Sequence, residues 1–125
     1  VTVFGDRDQL LMAIHNLIEN AINYSPENTK VSISTSLEDE IVTVSVADQG
    51  IGIPESDLER IFERFYRVDP ARSRETGGTG LGLSIVKHVA AKHGGEIKVW
   101  SSQNVGSTFA LRLPVFNNAN GENRE

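Results

Sequence analysis

Residues 71–88 read ARSRETGGTGLGLSIVKH. Gly77, Gly78, Gly80 and Gly82 fall within six positions, and the chain then runs straight into the apolar spacing of a helix. So dense a glycine cluster weakens any helix or strand. Its value lies in what it permits. Glycines ahead of a helix N-terminus expose backbone N–H groups at the positive end of the helix dipole, which favours anions. The wording is not that of the P-loop, which ends in Gly-Lys-Ser/Thr. Nor is it a plain dinucleotide fingerprint, because the third glycine of GTGLGL follows the second by two residues rather than three. Taken alone, it is a phosphate-binding loop of unknown class on mobile backbone, suited to a lid that opens and closes.

Downstream, Leu81, Ile85, Val86, Val89 and Ala90 predict a long helix that stops at Gly94-Gly95. EIKVWSS and STFALRLP then form a hairpin around QNVG. Upstream, VTVF is a short β-like run ended by Gly5. Asp6 can cap a helix, with Gln9 at the capping-box position. Leu10, Leu11, Ile14, Leu17, Ile18, Ala21 and Ile22 recur at helical spacing and predict a helix over 7–23, broken by YSPEN. VSISTSL and IVTVSVAD alternate and are joined by EDE, a hairpin. DQGIGIP (48–54) is a loop, ESDLERIFERF (55–65) a short helix, and 66–80 a long loop. Strands interleaved with helices but paired as hairpins predict an α/β two-layer sandwich. One domain is expected over 1–116, with a polar, disordered tail over 117–125.

Composition narrows the function. The 125 residues suit a single core, and 38% of them are hydrophobic. A net charge of −5 argues against nucleic acid as a partner. The absence of cysteine removes disulfides, thiolate metal sites and thiol nucleophiles. No apolar run approaches the ~20 residues that span a bilayer. The opening VTVFGD, without an initiating Met, reads as a piece of a longer protein.

Two further features carry chemistry. At ~100° per residue, Asn16, Asn20 and Asn23 fall in a narrow arc, read as the side of the helix opposite its apolar positions. They are either a solvated face or a column of neutral donors and acceptors for a metal-bound polyphosphate. Asp48 stands at a strand end, followed by Gly50 and Gly52. This is either a plain turn or a carboxylate placed to accept a hydrogen bond from an exocyclic amine such as that of adenine, with glycines letting backbone approach the base.

NLIENAINYS, DQGIGIP, FERFYR, GTGLGLS and GSTF follow one another in the order and spacing of the N, G1, F, G2 and G3 boxes. Over residues 1–114 the chain resembles the catalytic ATP-binding domain of bacterial sensor histidine kinases, in the wider GHKL superfamily. The lid wording is most similar to PhoR-like, phosphate-responsive kinases. The resemblance implies a Bergerat-type fold: a mixed five-stranded sheet, three helices on one face, and a mobile lid over ATP. It implies that Asn20 coordinates Mg²⁺ between the phosphates, with Asn16 beside it. Asp48 would bind the adenine amine, bordered by Gly50, Gly52 and Ile53, with Thr108 near the base and Tyr24 close to the sugar or base. Arg67 would reach the phosphates, as would Arg64. Gly78, Thr79, Gly80, Leu81, Gly82 and Leu83 would shape the lid. Phe62 and Phe65 would anchor it in the core. Asn16, Asn20 and Arg67 would be the catalytic set.

Two departures stand out. Many family members carry Lys where this chain has Asn23, which removes a phosphate-directed charge. Hydrolysing members of the superfamily typically carry Glu four residues before the metal-binding Asn, where this chain has Asn16. His15, His88 and His93 lack the setting of a phosphoacceptor and are read as structural or surface residues. The acceptor is therefore expected on a separate dimerisation domain of the same kinase, with a response regulator downstream. The fragment itself is expected to be monomeric, as the cytoplasmic portion of a membrane-anchored kinase. A regulatory nucleotide-binding module and a GHKL-type ATPase are the alternatives.

Overall fold

A computed structural model describes residues 5–64, 66 and 82–115. The expected strand VTVF, Phe65, the segment 67–81 and the tail 117–125 lie outside the described residues. The elements are α1 (Arg7–Asn23), β1 (Ser32–Glu38), β2 (Ile41–Ala47), a 3₁₀ turn (Glu55–Asp57), α2 (Gly82–Lys92), β3 (Glu96–Ser102) and β4 (Gly106–Pro114). The strands form one sheet in the order β1-β2-β4-β3, with every neighbouring pair antiparallel. Both helices pack on one face of that sheet and against each other. The two-layer α/β architecture is as expected. Among the described residues, however, the sheet has four antiparallel strands rather than five mixed ones, and there are two α-helices rather than three.

Within the described part of the expected helix 55–65, a 3₁₀ turn at Glu55–Asp57 is followed by an irregular curl. Residues 57–63 curl mainly through bonds three residues apart, Arg60 N–H to Asp57 O at 2.9 Å and Glu63 N–H to Arg60 O at 2.9 Å, with one four-residue bond from Ile61 N–H to Asp57 O at 3.1 Å. The Tyr66 hydroxyl donates to Asp57 Oδ1, nine residues back. A straight α-helix would hold residues nine apart about 13 Å from each other along its axis. The tether folds the end of the segment back over its start.

Alternation along the strands sorts the two faces. Val46 opposes Phe109 and Val44 opposes Leu111. Phe109, Leu111, Leu113 and Val46 meet Ala13, Leu17 and Ala21 of α1 and Val86, Val89 and Ala90 of α2 in the core. Phe62 closes one end, edge-on to Phe109 with ring centroids 6.4 Å apart. Burying each large side chain is worth ~1.5–3 kcal/mol. The other face carries Thr43, Ser45, Lys98, Arg112 and the exposed Trp100.

Helix α1 departs from its expected faces. Leu11, Met12 and Ile22 are exposed, at 52%, 44% and 58%. The outward stripe is Leu11, His15, Glu19 and Ile22, so the asparagine arc is not opposite the core but beside it, half-buried. The helix start also differs. Asp6 Oδ1 accepts from the Gln9 N–H at 3.1 Å, half of a capping box. The Asp6 N–H does not turn to the Gln9 side chain. It donates to His93 Nε2 at 2.9 Å, and His93 Nδ1 lies 2.8 Å from the Val89 carbonyl oxygen. Because Nε2 accepts, the ring proton sits on Nδ1 and is given to Val89 O. Gln9 Oε1 is left buried without a partner. His93 thus clasps the end of α2 to the start of α1, a structural role. We expect His93→Ala to lower stability by about 1–3 kcal/mol in urea titration, and an unchanged midpoint would remove it from the clasp.

Candidate functional site

The site is assembled where α1 ends, α2 begins and β2 runs out. Asp48 follows β2, and its N–H donates to the Ser107 carbonyl oxygen at 2.8 Å, extending the ladder by one residue. Its carboxylate accepts at Oδ1 from the Gly50 N–H at 2.8 Å and from the Ser107 N–H at 3.2 Å. Both bonds fall on one oxygen, which orients the group and leaves Oδ2 to serve a ligand donor.

Gly50 is buried, and a Cβ there would run into the Tyr24 carbonyl oxygen and stand 3.0 Å from Asp48 Oδ1. Only glycine lets this loop lie against the end of α1, where the Tyr24 N–H caps the helix on Asn20 O at 3.2 Å. Gly52 has φ +72° and turns the loop along the Ser102 backbone. The Ile53 N–H then donates to Ser101 Oγ at 2.7 Å, while its side chain packs against the core.

The asparagine flank faces the start of α2. A methyl group placed on Gly82 would stand 3.6 Å from Asn16 Oδ1. Asn20 and Asn23 continue that flank toward Tyr24, all of them half-buried. Leu83, one residue into α2, packs inward on the core. The first turn of this eleven-residue helix therefore opens beside Asn16. On the outward stripe, Glu19 Oε2 lies 3.1 Å from His15 Nε2, turned away from the asparagines.

Arg64 is exposed near the end of the curled segment. Arg60 stacks 4.6 Å above the Tyr66 ring, and the hydrogen bond to Asp57 raises the Tyr66 phenol above its ordinary 10.0. Tyr66 is thereby tied down immediately before Arg67. Arg67, Gly78, Thr79, Gly80 and Leu81 lie outside the described residues.

The structure thus joins Asn16, Asn20, Tyr24, Asp48, Gly50 and Gly82. It does not bring Thr108 to Asp48. Thr108 pairs with Ala47 and Trp100 on the sheet face away from the helices. The residue beside Asp48 is Ser107, 6% exposed and the buried polar residue among the described residues. Ser107 and Ser101 are the site residues that sequence reasoning missed. The available signal was parity: counting in twos from Phe109 and Val99 puts both serines on the core face of their strands.

Known proteins place this geometry in a family. Residues 5–117 match the family described as histidine kinase-, DNA gyrase B-, and HSP90-like ATPase. The sensor-like histidine kinase SenX3 of Mycolicibacterium smegmatis is 57% identical over 114 residues, 91% of this chain and 30% of that protein. The sensor histidine kinase WalK of Bacillus subtilis is 48% identical over 111 residues, 87% of this chain and 18% of that protein. The chain therefore spans less than a third of the length of either relative. Among solved structures, the mycobacterial sensor histidine kinase MprB superposes with a TM-score of 0.80 at 37% identity, covering 90% of this chain and 76% of that one. Full-length ShkA in complex with AMPPNP superposes with a TM-score of 0.75 at 33% identity, over 90% of this chain and 22% of that one. The chain belongs to the histidine kinase-, DNA gyrase B- and HSP90-like ATPase family, on its sensor histidine kinase branch, as an ATP-binding catalytic domain.

Proposed function

We propose that this domain binds Mg-ATP between α1, the 48–53 loop and a lid, and donates the γ-phosphate to a histidine on a separate dimerisation domain of the same kinase. The observation that carries this reading is the convergence on one place of the oriented Asp48 carboxylate, the α1 asparagines and the N-terminus of α2. Each part matches a part of ATP. Asp48 Oδ2 accepts from the adenine amine, and Gly50 and Gly52 let the base lie against backbone. The first N–H groups of α2 face the phosphates. A full five-stranded mixed sheet with three helices, and a lid built from Gly78, Thr79, Gly80 and Leu81 with Arg67 on the phosphates, complete the reading. The phosphate-responsive subfamily rests on wording that lies mostly in 67–81.

The donor set fits magnesium. Mg²⁺ takes hard oxygen ligands and keeps phosphates and waters, needing only one or two from protein. The Asn20 amide oxygen is such a ligand. Among the described residues, no group of three His, Cys, Asp or Glu forms a cage that would hold a metal without the nucleotide. When bound, the ion supplies charge neutralisation to the phosphates. The protein's share is placement: it holds the γ-phosphorus for attack by an imidazole lone pair, after which the phosphorus–oxygen bond to ADP breaks.

Attack by water lacks a base. The amide of Asn16 does not take up a proton near neutral pH, and Glu19 is engaged with His15 on the outward stripe. ATP bound here should wait for the partner's imidazole, with a response regulator taking the phosphate next. The parent would be a membrane-anchored sensor whose cytoplasmic part includes this domain, and the fragment itself a monomer without affinity for nucleic acid. Among the described residues, no helix is long and apolar enough to cross a membrane. Incubation with labelled ATP and the separately made dimerisation domain should yield phosphohistidine on that domain. Without it, phosphate release should be far below 1 s⁻¹, an ordinary enzyme rate. Turnover on the order of 1 s⁻¹ would overturn the kinase reading in favour of an ATPase.

A further inference from the structure

We infer that Ser101 is a positioning residue for nucleobase recognition: its hydroxyl latches the 48–53 loop to the β3–β4 hairpin and so sets the carboxylate of Asp48. The inference rests on the ATP reading above and adds to it a residue that touches no part of the nucleotide.

Ser101 Oγ has three neighbours. It accepts from the Ile53 N–H at 2.7 Å, donates to the Gly106 carbonyl oxygen at 3.2 Å, and lies 2.8 Å from Ser107 Oγ. A hydroxyl has one proton and two lone pairs. With its proton given to Gly106, Ser101 must receive from both the Ile53 N–H and the Ser107 hydroxyl. One arrangement of protons satisfies all three contacts and uses the full capacity of the group. Ala has none of this capacity, and Thr keeps it.

The latch reaches Asp48 from both sides. Asp48 Oδ1 is oriented by the Gly50 N–H and the Ser107 N–H. Gly50 belongs to the loop whose far end, Ile53, is pinned by Ser101. Ser107 belongs to the strand whose hydroxyl and preceding carbonyl are both held by Ser101. The two donors that aim the carboxylate are thus carried on segments joined by one hydroxyl. A second tie, the Asn104 N–H to Ile51 O at 2.7 Å, spans the same two segments without Ser101. Loss of Ser101 should therefore loosen the base wall without detaching the loop.

The test is Ser101→Ala beside Ser101→Thr, with ATP, GTP and inorganic triphosphate as titrants. Ser101→Ala should raise the Kd for ATP about 3- to 10-fold, the size of one net hydrogen bond, and should narrow the preference for ATP over GTP. Triphosphate, which has no base, should bind as in the parent protein, and Ser101→Thr should restore the ATP value. A folded Ser101→Ala variant with unchanged ATP affinity, or one that loses ATP and triphosphate equally, would overturn the inference. Amide exchange on the nucleotide-free protein separates this outcome from failure of the ATP reading. Gly50 and Ile53 should exchange faster in Ser101→Ala even if no nucleotide binds, and unchanged exchange at both would overturn the latch.

Discussion

Replacing Asn20 by Ala should slow phosphoryl transfer to the partner histidine on the order of 100-fold or more, the scale of losing one preorganised electrostatic contact, while the domain stays folded. Asn20 lies on the half-buried flank of α1, not among the core residues Ala13, Leu17 and Ala21. Ala is the better helix former, so the substitution has no structural reason to unfold the helix. What disappears is the neutral oxygen that the proposed function places beside the phosphates. The measurement should include nucleotide affinity with and without Mg²⁺ as well as the transfer rate. The parent domain should bind ATP more tightly with the ion, and Asn20→Ala should lose most of that gain. A folded variant with the parent rate and the parent Mg²⁺ dependence would remove Asn20 from the metal site.

Asp48→Asn should weaken ATP binding about 10- to 100-fold, the equivalent of a charged hydrogen bond worth ~1.5–3 kcal/mol. The geometry makes the direction of the effect specific. Gly50 and Ser107 both donate to Oδ1. An asparagine at this position must keep its carbonyl oxygen there, since its NH₂ would face two N–H donors. The NH₂ then occupies the place of Oδ2 and meets the adenine amine donor to donor. Guanine, with a carbonyl at the corresponding position, meets the same NH₂ as an acceptor. The variant should therefore lose preference for ATP over GTP as well as affinity. Calorimetric titration with both nucleotides checks this, and unchanged ATP affinity would take Asp48 out of the base site.

Much of this was legible because separate physical signals agreed. The period of the apolar residues placed α1, and alternation placed the four described strands. The glycines of DQGIGIP marked a loop, but read from sequence they admit a ligand; that Gly50 is closed in by the Tyr24 carbonyl is a packing demand no local spacing shows. Three further things were not legible, each for want of tertiary information. Leu11 and Ile22 have the helical spacing of core residues, yet they lie on the outward stripe of α1. The helical pattern of ESDLERIFERF gives way to a 3₁₀ turn and a curl over which the Tyr66 side chain reaches back to Asp57, a contact no window of local spacing contains. The Asp6 N–H had a local acceptor in Gln9 but found one 87 residues away in His93. At the site, strand register rather than motif position decides that the Ser107 backbone meets Asp48 while Thr108 pairs with Ala47.

The strand order has a consequence for how the domain comes into being. β4 is the last described element in sequence, yet it lies between β2 and β3 in the sheet. Without it the described strands divide into a two-stranded hairpin and a single strand, neither of which holds together well in water. The contact that orients the Asp48 carboxylate joins it to Ser107, 59 residues apart. Closing so long a separation is slow compared with forming α1 or the first hairpin. During synthesis, Asn16, Asn20 and Asn23 of α1 leave the ribosome well before the strand that meets Asp48. On the proposed function, nucleotide capture should therefore arrive late, with the docking of that strand, and chains lacking it should not hold ATP.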